Sequence, residues 1–350
     1  MSEVQAPAPY AVDAGSVARD REALLGIWRG RLGVDARMQS KFEWFYQECP
    51  FGEPTVCVLR HGPDRQAVGA ASAGPRRLLA NGTGMLAGVL VDLAVTAEHR
   101  SLGPALMLQT ALAESAGRRF GLLYGFPNPK AAPVFKRIGY SRLGEIVRLA
   151  RVLRHRAYLA RRFPRALAAL GGPVTDLAVR IRDAWRSRAD TRWQPCWSAV
   201  ADARFDELWS RTTAATATLA IRDATFARWR FDRCPFEQTR YLLLSHPVDG
   251  FLQAWFACQA HDTTLHVRDC WSVDGESGVR REFVDALLAA ARRDGHAAVS
   301  FEIAGAKDRV GGWKSAGFQE RGRRPVFGKW TDGRPSGTVD LYLTSADEDE

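Results

Sequence analysis

The chain has no apolar run long enough to span a bilayer, and its first ten residues, "MSEVQAPAPY", carry neither a basic segment nor a hydrophobic stretch of the secretory kind. Cysteine is scarce. The six present (Cys49, Cys57, Cys196, Cys234, Cys258 and Cys270) form no C-x-x-C pair, which excludes a disulfide frame and the usual zinc modules. There is no H-E-x-x-H, no Walker loop and no G-x-S-x-G. "GTGMLAG", from Gly82, approaches G-x-G-x-x-G, but it joins two strand patterns and not a strand to a helix, so it supports no dinucleotide site. The expectation from these absences is a cytoplasmic globular protein with reduced, mostly buried thiols and no zinc site.

What is present begins with size and charge. The 350 residues, 46% hydrophobic and 25% charged, suffice for two domains. The net charge of +10 is local: residues 148–192 hold twelve Arg, no Lys and three Asp, and the rest of the chain is nearly neutral apart from an acidic tail, "ADEDE". Apolar residues between these arginines (Leu149, Val152, Tyr158, Phe163, Leu167) suit an amphipathic connector, or a segment that docks on an anionic membrane surface. No nucleic-acid-binding motif accompanies it.

The chain also repeats itself. "WFYQECPF" at Trp44 is answered by "WRFDRCPF" at Trp229, and "IWRGRL" at Ile27 by "LWSRTT" at Leu208. "ALAESAGRRFG" at Ala111 is answered by "ALLAAARRDGH" at Ala286, and "FKRIGYSRLG" at Phe135 by "WKSAGFQERG" at Trp313. Four matches in one order imply two copies of a single α/β unit of about 150 residues. Each copy reads as helices, then strands, an amphipathic helix, another strand and a short helix, with a mixed, mostly antiparallel sheet. "NGTG" from Asn81 is a hairpin turn, because Asn and Gly accept positive φ. The expected boundaries are residues 1–150, an arginine-rich connector at 151–195, and 196–350. Trp44 and Trp229 are expected in the core, since both copies keep them.

In the first copy "GVLVDLAV" leads through "TAEHRSLGPA" into a helical pattern bearing Leu106, Leu108, Ala111, Leu112 and Ala116. A strand that turns tightly into a helix presents unpaired N–H groups at the positive end of the helix dipole, a ready site for phosphate. Gly103 permits close approach, Ala105 stays small, Arg100 can face the anion, and Pro104 suits the first helical position.

Arg100-x-x-Gly103-x-Ala105 after this strand resembles the acetyl-CoA-binding signature of the GNAT superfamily of N-acetyltransferases. "NPKAAPVFKRIGY" resembles that superfamily's later motif, with Asn128, Ala131, Gly139 and Tyr140 on its pattern. The resemblance covers residues 10–150 through both motifs and 196–330 only through the internal repeat. It implies two tandem GNAT-like domains, with acetyl-CoA as acyl donor to a small-molecule amine such as an amino sugar or another small metabolite. The donor would lie in a notch between two splayed strands, 91–95 and 122–126. Its contacts would come from Leu93, Ala94, Val95, Arg100, Ser101, Leu102, Gly103, Pro104, Ala105, Asn128 and Phe135. An amine would attack directly, with no protein nucleophile.

The tyrosine that often protonates the leaving thiolate is replaced here by Phe135, with Trp313 at the matching place in copy two. Tyr124, Tyr140 or water is left for that role. Asp92 is the candidate base or amine anchor, and Asn128 a candidate site residue or a helix cap. Glu98 and His99 are expected to hold the loop. Copy two lacks the phosphate loop, carries Asp274 and Glu276 there, and has Ala306 in place of Asn128, so it is expected to be degenerate. Two other readings stay open: a non-catalytic CoA-binding scaffold, and a membrane-surface adaptor acting through residues 148–192. The acceptor and the oligomeric state are not set by the sequence.

Overall fold

Asn81 and Gly82 adopt φ of +50° and +74°, the left-handed pair that a two-residue hairpin requires. They join β3 (Gln66–Ala80) to β4 (Thr83–Val95), the longest hairpin in the molecule. The computed structural model describes residues 10–129, 131–154, 193–212, 216–333 and 339–348. Most of the connector expected at 151–195 therefore lies outside the described residues.

The remaining strands are β1 (Tyr10–Ala14), β2 (Thr55–His61), β5 (Leu122–Gly125), β6 (Ser141–Val152), β7 (Gln194–Ser198), β8 (Thr218–Ala220), β9 (Thr239–Ser245), β10 (Leu252–His261), β11 (Thr264–Ser272), β12 (Ala298–Ala304), β13 (Gln319–Trp330) and β14 (Leu341–Thr344). They form one mixed sheet, in the order β1-β2-β3-β4-β5-β13-β6-β12-β11-β10-β9-β7. Pairing is antiparallel except at β4/β5, β11/β12 and β14/β8. The meander β2-β3-β4, helix Leu102–Gly117, β5, helix Ala132–Arg137 and β6 make one series. The meander β9-β10-β11, helix Arg281–Arg293, β12, helix Gly311–Ser315 and β13 make a second series of the same kind.

The two series are not separate sheets. β13 lies between β5 and β6, and β6 lies between β13 and β12, so the last strand of each series pairs with the fourth strand of the other. A boundary at residue 150 thus falls inside β6. Arg148 and Arg151, at the head of the arginine-rich segment, are strand residues, and Arg151 is buried with its guanidinium donating to the Ala316 carbonyl. The short strands β14 and β8 bridge β12 back to β3, and so close β3-β4-β5-β13-β6-β12-β14-β8 into a ring. Closure removes sheet edges that would otherwise be left unpaired. Sequence reading misses β1, β7, β8 and β14, which are short, and also β6 and β13, whose dense charges mask their alternation.

One large core cluster runs through both halves, and a smaller one sits under helix Leu102–Gly117 around Leu108, Leu112, Phe135 and Tyr140. The matching aromatic motifs meet at the centre. Each lies on a turn widened by one residue, with Glu48 N–H donating to Glu43 O and Arg233 N–H to Arg228 O. Trp44 and Trp229 stack at 5.4 Å, and each indole Nε1–H donates to the other's carbonyl, at 2.7 and 3.1 Å. Arg230 lies over Trp44, and Arg76 lies over Trp229. Both tryptophans are buried, in keeping with their expected place in the core. Replacing either by Ala removes a large ring and orphans a carbonyl, at a cost of about 3–5 kcal/mol in urea unfolding. Because each ring is the other's partner, the double variant is expected to lose less than the sum of the singles, and strict additivity would refute the coupling.

Candidate active site

β4 and β5 pair only at Ala87–Leu122, Gly88–Leu123 and Val89–Tyr124. β4 then runs on to Val95 while β5 stops at Gly125, so the two strands diverge. β3 covers one edge of this stretch of β4, at Val91, Ala94 and Val95. Among the described residues no strand pairs with the other edge beyond Val89. The predicted contacts Leu93, Ala94 and Val95 lie on this open stretch. Ala94 and Val95 are buried and Leu93 half-buried, which leaves the main chain as the group able to meet an extended ligand.

β4 leads to the expected turn. A short 3-10 turn, Ala97–His99, precedes Arg100, and helix Leu102–Gly117 begins with extended Ser101 as its N-cap, whose side chain caps nothing. The first-turn N–H groups have no intrahelical partner. Arg100, Ser101, Leu102 and Gly103 are exposed, and a Cβ added to Gly103 would meet nothing within 4 Å. Pro104 is the third helical residue, not the first, because the helix starts at Leu102. Its ring is buried, and its missing N–H still falls in the turn where no intrahelical acceptor exists. Ala105 is half-buried one position on. His99 accepts from or donates to the Tyr10 hydroxyl at 2.9 Å and packs its ring 4.4 Å from that of His61, which ties the turn to β1 and β2.

Where β4 diverges it carries a bulge: Ala70 faces Ala94 and Ser72 faces Val91, so Asp92 and Leu93 share one partner. Asp92 sits there with φ +53°, unusual for a residue with a Cβ. Its buried carboxylate accepts from Lys41 Nζ at 2.8 Å and from the Tyr46 hydroxyl at 2.7 Å. Neither partner is visible from sequence spacing, since they are 51 and 46 residues away.

Asp92 and Lys41 line a cavity of about 440 Å³ between the two halves. The second half contributes Arg268, Glu302, Arg324, Ser345 and Glu348. An apolar wall comes from Trp28, Met38, Phe231 and Phe236. Arg268 occupies the bulge of β11, the counterpart of Asp92 on β4. The cavity is absent from the sequence reading because its walls come from at least six segments.

The other candidate residues lie elsewhere. Tyr124 is fully buried and donates to the Asp347 carbonyl at 3.0 Å. Burial and the Asp347 carboxylate push its pKa well up, so it is not exposed to protonate a thiolate. Tyr140 is buried beside Phe135 and Phe327 with no hydrogen-bond partner for its hydroxyl, and burial raises its pKa as well. Phe135 packs in the same cluster, against Tyr140 at 5.2 Å and Phe327 at 6.2 Å. Asn128 is exposed, and its Oδ1 accepts from Ala131 N–H at 3.0 Å, a cap for the following helix. Among the described residues, no group of three or more His, Cys, Asp or Glu is placed to hold a metal.

The second half repeats the divergence, since β11 and β12 pair only through Val267–Phe301. Here the chain fills the gap. β14 pairs with β12 at Ile303 and Ala304, Thr344 Oγ1 donates to Asp269 Oδ1 at 2.9 Å, and Ser345 Oγ donates to the Arg268 carbonyl at 3.2 Å. Part of the acidic tail is therefore internal, with Ala346 and Asp347 buried. Arg222, also buried, joins Asp269 and Asp347 at 2.8 and 3.1 Å. In the loop at Asp274 and Glu276, Asp274 pairs with Arg280 and Glu276 accepts from the N–H groups of Thr216 and Ala217.

The fold resembles that of solved GCN5-related N-acetyltransferases at low sequence identity. No family model matches the sequence, and no curated protein matches it. Solved structures do. A probable N-acyltransferase from Enterococcus faecalis superposes with a TM-score of 0.65 at 11% identity, over 93% of this chain and 73% of that one. A GCN5-related N-acetyltransferase from Anabaena variabilis gives 0.63 at 10%, over 92% and 73%. N-myristoyltransferase from Saccharomyces cerevisiae, with bound myristoyl-CoA, gives 0.53 at 12%, over 93% and 84%. Among the described residues no helix is long and apolar enough to cross a membrane.

Two outcomes follow from the buried charges. Lys41→Met leaves the Asp92 carboxylate buried without its cation and is expected to cost about 3–5 kcal/mol in urea unfolding, much of it recovered in Lys41→Met/Asp92→Asn. A loss below about 1 kcal/mol would show that solvent reaches the pair. Asp347 has its pKa pushed from 3.8 to about 6 by burial, against the pull of Arg222. Between these values the folded chain binds a proton that the unfolded chain releases, so this group's contribution to stability grows as pH falls from about 6 towards 4. Asp347→Asn is expected to remove that component from the urea midpoint measured between pH 7 and 5. An unchanged pH slope would contradict it.

Proposed function

We propose that the chain is an acyl-CoA-dependent N-acyltransferase with one donor site, on its N-terminal half. One observation carries the reading: the open edge of β4 beyond Val89 leads directly to the exposed, uncapped start of helix Leu102–Gly117, where Arg100 and Gly103 stand. An extended pantetheine arm suits the first feature and a pyrophosphate the second. The repeated order of elements and the reciprocal Trp44–Trp229 contact support descent from one duplicated GNAT-like unit. The self-filled second notch supports a C-terminal half that shapes the acceptor cavity and binds no donor.

On this reading a primary amine enters the cavity between the halves and attacks the thioester carbonyl beside the Asp92 bulge. The N–H groups at the bulge then donate to the developing oxyanion. Asp92, fixed by Lys41 and Tyr46, orients the amine. The C–N bond forms, the C–S bond breaks, and the amine's proton leaves through solvent. With Tyr124 and Tyr140 buried and Phe135 in the usual tyrosine's place, the thiolate takes its proton from water. Acetyl-CoA is the proposed donor.

Calorimetric titration of acetyl-CoA tests the donor site. Wild type is expected to bind about one equivalent per chain at micromolar affinity. Gly103→Trp, whose Cβ falls in open space at an unstrained backbone position, is expected to stay folded and lose binding at least about tenfold. Failure of the wild type to bind, or binding unchanged in the variant, would overturn the assignment.

A further inference from the structure

The C-terminal segment does more than fill the second notch. Its main chain is held from both halves of the molecule. Tyr124 Oη donates to the Asp347 carbonyl at 3.0 Å, Arg76 Nη2 to that of Glu348 at 3.2 Å and Arg230 Nε to that of Ala346 at 2.8 Å. Thr344 Oγ1 meanwhile accepts from Ala346 N–H, and Asp347 Oδ2 accepts from Thr344 N–H at 2.7 Å, a capping box that sets the turn. Backbone held at successive carbonyls leaves little freedom to the side chains between them. Ser345 and Glu348, at the two ends of this held stretch, line the same cavity as Asp92.

We propose that residues 344–348 are the acceptor-specificity element of the site, an inference that rests on the acyltransferase reading above. The segment lies in the second notch, where the arm of a second donor would lie, and from there presents Ser345 and Glu348 to the amine. Glu348 Oε2 accepts from Arg324 Nη1 at 2.6 Å, and Arg324 Nη2 also donates to Glu302 Oε2 at 2.6 Å. Two carboxylates thus share one guanidinium here, with Arg268 beside them, and their remaining lone pairs can accept from an amine N–H. Trp28, Leu32, Val34, Met38 and Phe236 give the cavity its apolar lining. Together they fit a primary amine on an apolar or aromatic body better than a polyhydroxylated amine.

Full-length wild type, Ser345→Ala and Glu348→Gln are compared for acetyl-CoA affinity by calorimetry and for kcat/KM with 2-phenylethylamine, tyramine and glucosamine. Wild type is expected to favour the two aromatic amines. Each variant is expected to keep its acetyl-CoA Kd within about twofold and to shift the aromatic-to-glucosamine ratio by about tenfold, the scale of one polar contact in a partly desolvated site. Ser345→Ala is the milder change and keeps the test valid should Glu348→Gln disturb packing around Arg324. A uniform fall across all amines, or unchanged ratios, would overturn the specificity role. Wild type that binds acetyl-CoA but prefers glucosamine would overturn the acceptor class alone. Wild type that does not bind acetyl-CoA would overturn the acyltransferase reading itself.

Discussion

The exchange of β6 and β13 governs the rest of this structure. A sheet that diverges after a parallel pair leaves main-chain groups without partners on both sides of the gap, and buried N–H and C=O groups need partners. Here the last strand of each series crosses to the fourth strand of the other, so β5 gains β13 and β12 gains β6. The two halves therefore share one hydrogen-bonded sheet, and closure through β14 and β8 extends that sharing to a ring. Stacking of Trp44 on Trp229, with its paired indole–carbonyl bonds, fixes the halves at their centre. A cavity bounded by both halves follows from this arrangement.

The two divergent gaps then take different courses. The first keeps its β4 edge open and leads to a helix start with exposed Arg100 and Gly103. The second is filled by β14 and the turn after it, held by buried Arg222 with Asp269 and Asp347. A buried triad of charges is a poor source of stability by itself, since desolvation offsets attraction. Its evident role is to set the position of the C-terminal segment, because carboxylates on β11 and on that segment converge on one guanidinium. On the proposed reading, this asymmetry separates a donor site from an acceptor site.

Much of the fold was legible residue by residue. The strand pattern of 55–61 coincides with β2, the turn at Asn81 lies where its φ preference puts it, and the helix after Arg100 starts within two residues of Pro104. The loop of the candidate donor site was legible for the same reason, since small residues and one arginine at a strand-to-helix turn are a local signal. The catalytic candidates were less so. Tyr124 carries a hydroxyl in a plausible strand, yet alternation along β5 does not say that its ring is enclosed and its hydroxyl given to Asp347, 223 residues on. Lys41 and Tyr46 gave no sign of their tie to Asp92, because the bond depends on a bulge in β4 meeting a turn outside it.

The sequence by itself determined the local elements, the repeated order in which they come and the phosphate-loop pattern at Arg100, Gly103 and Ala105, since periodicity, turn preference and helix capping act over a few residues. Only the tertiary structure decided that the halves exchange strands, that the C-terminal segment occupies the second gap and that a cavity opens beside Asp92. Those outcomes rest on partners separated by as many as 272 residues, for which no single segment carries a signature. They are settled when buried main-chain groups and charges find their partners across the whole chain.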